Sequence, residues 1–177
     1  MAVDHVKSTP ITNLDATPIV AVTTGEGGAG PLRNLTGYAT AVASSSADAT
    51  YQLVRLPSNA KVKRVMFESA AQTAGKFDIG VYYATDGGGG HPTALLAADA
   101  IDQDFFASVI DCASAVVITD ITNESGTNTI DKRNQPLWQA LGLAADPLCK
   151  FDIVATVKTT AVTTGTGVFG VSVDYVE

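Results

Sequence analysis

Three stretches of the chain alternate apolar with mixed positions at a period of two. Phe77, Ile79, Val81 and Tyr83 alternate with Lys76, Asp78, Gly80 and Tyr82. Phe151, Ile153, Ala155 and Val157 alternate with Asp152, Val154, Thr156 and Lys158. Phe169, Val171, Val173 and Tyr175 alternate with Gly170, Ser172 and Asp174. Successive side chains of a strand point to opposite faces, so each stretch predicts a strand with one core-facing row. Residues 37–43, 50–56, 61–68 and 115–121 are rich in β-branched or aromatic residues and predict further strands. Turn formers separate them, among them Ser44-Ser45-Ser46, Pro57-Ser58-Asn59, Glu124-Ser125-Gly126 and Gly165-Thr166-Gly167. The prediction is an all-β fold, a jelly-roll-like β-sandwich of seven or eight short strands. Phe67, Phe77, Tyr82, Tyr83, Phe151, Phe169 and Tyr175 are expected in its core.

Two segments show helical spacing instead. In 102–110, Phe105/Val109 and Phe106/Ile110 lie four apart, and Asp102 or Asp104 could cap the N-terminal end. In Pro136-Leu137-Trp138-Gln139-Ala140-Leu141-Gly142, proline suits a helix start and glycine its end. Both predict short helices plugging the ends of the sandwich, the second laying Leu137, Trp138 and Leu141 over the core. Lys76-Phe77-Asp78-Ile79 is echoed by Lys150-Phe151-Asp152-Ile153. The echo would suit equivalent places in two sheets, though four residues do not establish a duplication.

Residues 1–34 differ from the rest. They carry Pro10, Pro18 and Pro31 and the run Gly25-Glu26-Gly27-Gly28-Ala29-Gly30, which oppose regular structure. This predicts an extended N-terminal arm over 1–34 and a sandwich domain over 35–177. Such an arm orders against a neighbour, and Ile19, Val20, Val22 and Leu32 are its candidate apolar anchors. Lys61, Lys63 and Arg64 form the one basic cluster. It reads as a charged strand edge that discourages wrong pairing, or as a dock for an acidic partner surface.

Composition narrows the function. The 177 residues suit one domain. The net charge of −7 makes nucleic acid and anionic membranes poor partners. No apolar run reaches the ~20 residues that span a bilayer. Met1 to His5 do not open a secretory signal. Gly25-x-Gly27-x-x-Gly30 follows an apolar segment, as a dinucleotide-binding turn would, but Pro31 and the residues after it do not continue as a helix. Asp99, Asp102 and Asp104 lack the glycine and late glutamate of a calcium loop, and read as helix caps. His5 and His91 have no partner at ligand spacing, and nothing local aims a nucleophile at His91. Cys112 and Cys149 have neither CxxC nor metal spacing and read as reduced thiols. No catalytic residue, cofactor or metal is expected.

Leu56-Pro57-Ser58-Asn59-Ala60-Lys61-Val62-Lys63-Arg64-Val65, Phe77-Asp78-Ile79-Gly80-Val81-Tyr82, Asp102-Gln103-Asp104-Phe105-Phe106-Ala107-Ser108 and the Pro136–Gly142 segment together resemble small head proteins of tailed bacteriophages. The resemblance covers about residues 50–158 and rests on ordered short motifs. It implies a capsid decoration, or cement, protein with a β-sandwich or jelly-roll fold. Its partners would then be the outer surface of the major capsid protein lattice and itself, as a dimer or trimer. Its place would be the virion surface, after synthesis in the host bacterial cytoplasm. The alternatives are another virion part (head fibre base, neck or tail tube) and a carbohydrate-binding β-sandwich for host adhesion.

Overall fold

Among the described residues eight strands carry the fold: β1 Arg33–Thr40, β2 Thr50–Pro57, β3 Lys61–Ser69, β4 Lys76–Tyr83, β5 Ala100–Asp111, β6 Val116–Asp120, β7 Lys150–Val157 and β8 Val168–Val176. The computed structural model describes residues 17–18, 31–42, 45–72, 75–84, 99–158 and 167–177. Two four-stranded antiparallel sheets form, with strand orders β1-β8-β3-β6 and β2-β7-β4-β5. The chain therefore pairs like one long hairpin, β1 with β8, β2 with β7, β3 with β6 and β4 with β5, rolled into two layers. Ladders between β3 and β8 and between β4 and β7 complete the sheets. This is the jelly-roll arrangement, an eight-stranded double sheet.

The inward rows are those the alternation predicts. Phe77, Ile79 and Val81 of β4 and Phe151, Ile153, Ala155 and Val157 of β7 face Phe67 of β3 and Phe169, Val171 and Val173 of β8, all buried in one cluster. Phe77 and Phe169 stack across the layers at 4.7 Å between centroids, and Tyr51 meets Phe169 edge-on at 5.2 Å. Tyr83 is only half-buried. Where β1 and β2 close the layers together, a Cβ on Gly37 would stand 1.8 Å from the Leu53 carbonyl oxygen, so only glycine fits.

The second predicted helix forms as α1, Leu137–Ala140, after a 3-10 turn at Lys132–Asn134. It docks on the β2–β3 turn through Leu137 N–H to Ala60 O (2.8 Å) and Trp138 N–H to Ser58 O (3.1 Å). Leu137 is buried in the core, with Trp138 and Leu141 packed against it. Gly142 ends the helix at φ +78°. Its N–H bonds Gln139 O and that of Leu143 bonds Trp138 O, the paired closure that a left-handed residue makes possible.

The helix expected over 102–110 does not form; that segment is strand β5. Three register shifts against β4 explain the false signal. Each bulge inserts unpaired residues and re-aims the next side chain, so Phe105 and Phe106, adjacent in sequence, are both buried. Val109 sits at φ +55° and is 41% exposed, so it shares no stripe with Phe105. Asp102 and Asp104 consequently lie on a strand and cap no helix. The echoed Lys-Phe-Asp-Ile segments are not in two sheets either: β4 and β7 are antiparallel neighbours in one sheet.

Candidate interaction surface

The outer faces of the two sheets differ. On β2-β7-β4-β5 the outward row is filled by its own polar groups. Asp152, buried, receives Arg55 Nε at 2.6 Å, Arg55 NH2 at 2.8 Å and Gln52 Nε2 at 2.9 Å. Asp78, also buried, pairs with Lys158 Nζ at 2.9 Å and accepts the Val109 N–H at 2.8 Å. The Asp78 contact holds the Lys158 ammonium above its ordinary pKa, against a smaller opposing effect of burial. Tyr82 Oη and Thr156 Oγ1 are 2.6 Å apart between these pairs. Burial, then a hydrogen bond with Asp104, pushes the Asp102 carboxyl above the usual carboxylate range. The free edge of β5 is covered too. Ser125 N–H and Oγ bond the carbonyls of Phe106 and Phe105, and Glu124 accepts the Ser108 N–H.

The outer face of β1-β8-β3-β6 divides into halves. In one, Asn34 Nδ2 donates to Ser172 Oγ (2.8 Å) and Asp174 Oδ1 (2.7 Å), and Arg64 reaches Asp174 at 2.9 Å. The other half is apolar. Tyr38, Met66, Ile118 and Val168 surround a groove of about 480 Å³ floored by Gly170. A Cβ on Gly170 would meet the Gly37 carbonyl oxygen at 2.5 Å, so the glycine keeps the floor low and the strands close. Tyr38 is 75% exposed, Ile118 56% and Val168 48%, and Val117 beside them is 80% exposed. A bulge in β6 between the partners of Phe67 and Ser69 accompanies the exposure of both Val117 and Ile118. The groove is mostly apolar, with Glu68 the charged residue on its wall.

The residues singled out from sequence lie elsewhere. Ile19, Val20 and Val22, the Gly25–Gly30 run, His5 and His91 fall outside the described residues. Leu32 stands exposed just before β1. Lys61, Lys63 and Arg64 open β3, but not as one basic patch. Lys63 sits at a bulge and donates to Arg133 O (2.9 Å) and Asn134 Oδ1 (2.7 Å), fastening the 3-10 turn, while Arg64 pairs with Asp174. Cys112 is buried and Cys149 half-buried, and neither is in a disulfide. Burial pushes the Cys112 thiol up to about 11. Among the described residues no cluster of three or more His, Cys, Asp or Glu is placed to hold a metal ion, and no helix is long and apolar enough to cross a membrane. Sequence reasoning passed over the groove. Its one signal was Gly170 on the outward row of β8, since glycine inside a strand marks close approach of a backbone or ligand.

No protein-family model matches this sequence, and no curated protein does. Solved structures do resemble the fold. A chain in the capsid of Ralstonia phage GP4 is similar at a TM-score of 0.57 and 13% identity, over 89% of this chain and 91% of that one. A chain in the capsid asymmetric unit of cyanophage Pam1 is similar at a TM-score of 0.50 and 15% identity, over 92% of this chain and 96% of that one. At such identities the likeness is one of fold.

Proposed function

We propose that this chain is a virion structural subunit that binds the outer surface of a major capsid protein lattice and stabilises the head, as a decoration or cement protein. The observation carrying this reading is the end-to-end likeness to chains of two phage capsids, with about nine-tenths or more of each partner covered. The matched chains are therefore of nearly this chain's length. The interior agrees. Its aromatic and aliphatic rows are spent on cohesion between layers, and its buried acids are engaged by neighbouring side chains.

A subunit of this kind acts by shape. It stabilises the assembled shell because it binds that state and not the free subunits, shifting the equilibrium by mass action. Many symmetric copies make modest contacts effective. The expected N-terminal arm, with Ile19, Val20, Val22 and Leu32 as anchors, would extend each contact across a seam. The test is addition of purified protein to mature heads that lack it. Stoichiometric binding and gained resistance to heat support the reading; absence of binding, with deletion leaving heads equally resistant, refutes it. A second reading, that the chain is itself a shell subunit, has support in the capsid assemblies to which both neighbours belong. It requires the chain alone to assemble closed shells.

A further inference from the structure

We infer that the groove on the outer face of β1-β8-β3-β6 receives one basic side chain, lysine or arginine, of the protein this chain docks on. The sheet register builds the receptor. Tyr38 of β1 and Glu68 of β3 both stand opposite Gly170 of β8, the strand between them. Gly170 has no side chain, so the row leaves a gap two strand spacings wide, roughly 9–10 Å. An aromatic ring bounds that gap on one side and a carboxylate on the other. Met66, Ile118 and Val168 add apolar walls.

Three acids stand on these strands: Glu68, Asp120 and Asp174. Asp174 takes Asn34 and Arg64, and Asp120 accepts the Thr122 N–H at 2.9 Å. Glu68 is exposed and makes no hydrogen bond or ion pair with another described residue. Arg64, on the same outward row of β3, lies ~13 Å away along the strand and is held by Asp174. A lone anion beside apolar walls selects its occupant by charge. An acidic occupant is repelled, and a purely apolar one strips Glu68 of water without pairing it, which is costly. A basic side chain suits every part of the groove. Its alkyl stem covers the apolar walls, as long charged side chains do, and its head makes a charge-assisted hydrogen bond to Glu68. Tyr38, 75% exposed, offers its ring to the same cation.

The apolar walls also decide between a side chain and a bare ion. A hard metal ion wants about six oxygen ligands, and among the described residues no acidic or histidine cluster supplies them. A cation with an alkyl stem gains from the walls as well as from the carboxylate. That the docking partner is the capsid lattice rests on the function proposed above; the preference for a basic side chain rests on the groove alone.

The experiment is titration of the full isotope-labelled chain with n-propylguanidinium chloride, the arginine side chain without its backbone, followed by amide chemical shifts. n-Propylurea is the neutral probe of the same shape. Glu68→Gln removes the carboxylate with little change of shape, and Tyr38→Leu removes the ring. Asp111→Asn, at an exposed residue of the other sheet, removes one charge elsewhere. Propylguanidinium should shift the amides of Tyr38, Glu68 and Gly170 saturably, and propylurea should bind several times more weakly. Glu68→Gln and Tyr38→Leu should each weaken propylguanidinium binding by about threefold or more, the size of an exposed ion pair or cation–π contact. Asp111→Asn should leave it unchanged, and Glu68→Gln should weaken attachment to mature heads. Scattered, non-saturating shifts, equal binding of propylurea, or equal loss in Asp111→Asn would overturn the inference. So would a wild-type chain whose groove is closed by a second copy and takes no probe, or heads that hold Glu68→Gln as tightly as wild type. A chain that takes the probe at Glu68 and never binds heads would sink the proposed function and leave the groove's selectivity standing.

Discussion

Phe169→Ala tests whether cohesion between the sheets holds this molecule together. Phe169 is 1% exposed on β8, stacks on Phe77 of the opposite sheet at 4.7 Å, and receives the edge of Tyr51 at 5.2 Å. Truncating a buried phenylalanine costs about 3–5 kcal/mol, from lost transfer energy and the remaining cavity. Aromatic pairs are worth about 0.5–1.5 kcal/mol beyond area, and Phe169 makes two, so the upper part of that range, roughly 4–5 kcal/mol, is expected. Against a total stability of ~5–15 kcal/mol, that is a large fraction. In a chain of this size each 1 kcal/mol moves Tm by ~2–4 °C, so the midpoint should fall by roughly 8–20 °C. Urea denaturation should show a lower midpoint with an unchanged slope, because the unfolded state exposes the same surface. Tyr38→Ala is the comparison, since Tyr38 is aromatic but lies on the open outer face; its cost should stay within ~0.5 kcal/mol. A cost for Phe169→Ala below ~1.5 kcal/mol, or equal costs for the two, would refute the reasoning.

Three further outcomes follow from individual groups. Because the Asp102 carboxyl is held above its ordinary value, its ionised form is disfavoured in the fold, and stability should rise as pH falls through its folded pKa toward 3.8. Asp102→Asn should therefore be more stable than wild type at neutral pH, with the gap closing in acid; thermal melts against pH will show it. A thiol reagent should label half-buried Cys149 first and reach Cys112 only on unfolding, because that thiol is buried and held at about 11. Lys63→Ala releases its hydrogen bonds to Arg133 O and Asn134 Oδ1. It should cost about 1–3 kcal/mol and speed amide exchange around 132–134, while Ala155 and its neighbours stay protected.

Much of this fold was legible because β4, β7 and β8 place apolar residues at every second position, and that row is the one facing the opposite sheet. β5 was misread for a physical reason. Three bulges break its alternation, and what remains, Phe105-Phe106 with Val109-Ile110, has the spacing of a helix. Pairing order was not legible, because the ladder between β1 and β8 joins residues more than a hundred positions apart. The basic cluster looked like one feature because Lys61, Lys63 and Arg64 are close in sequence; the bulge sends Lys63 to the 3-10 turn and leaves Arg64 to Asp174. The groove assembles Tyr38, Met66, Ile118 and Val168 from four strands. Each is an ordinary strand residue by itself, and only the sheet order puts them side by side.

The measurement that bears most directly on the account is a reconstruction of an intact phage particle carrying this chain, fine enough to trace its strands. The account predicts the eight-stranded double sheet seated on the outside of the shell, in copies that follow the lattice. Density for the chain as the continuous shell wall, or its absence from the head altogether, would contradict it.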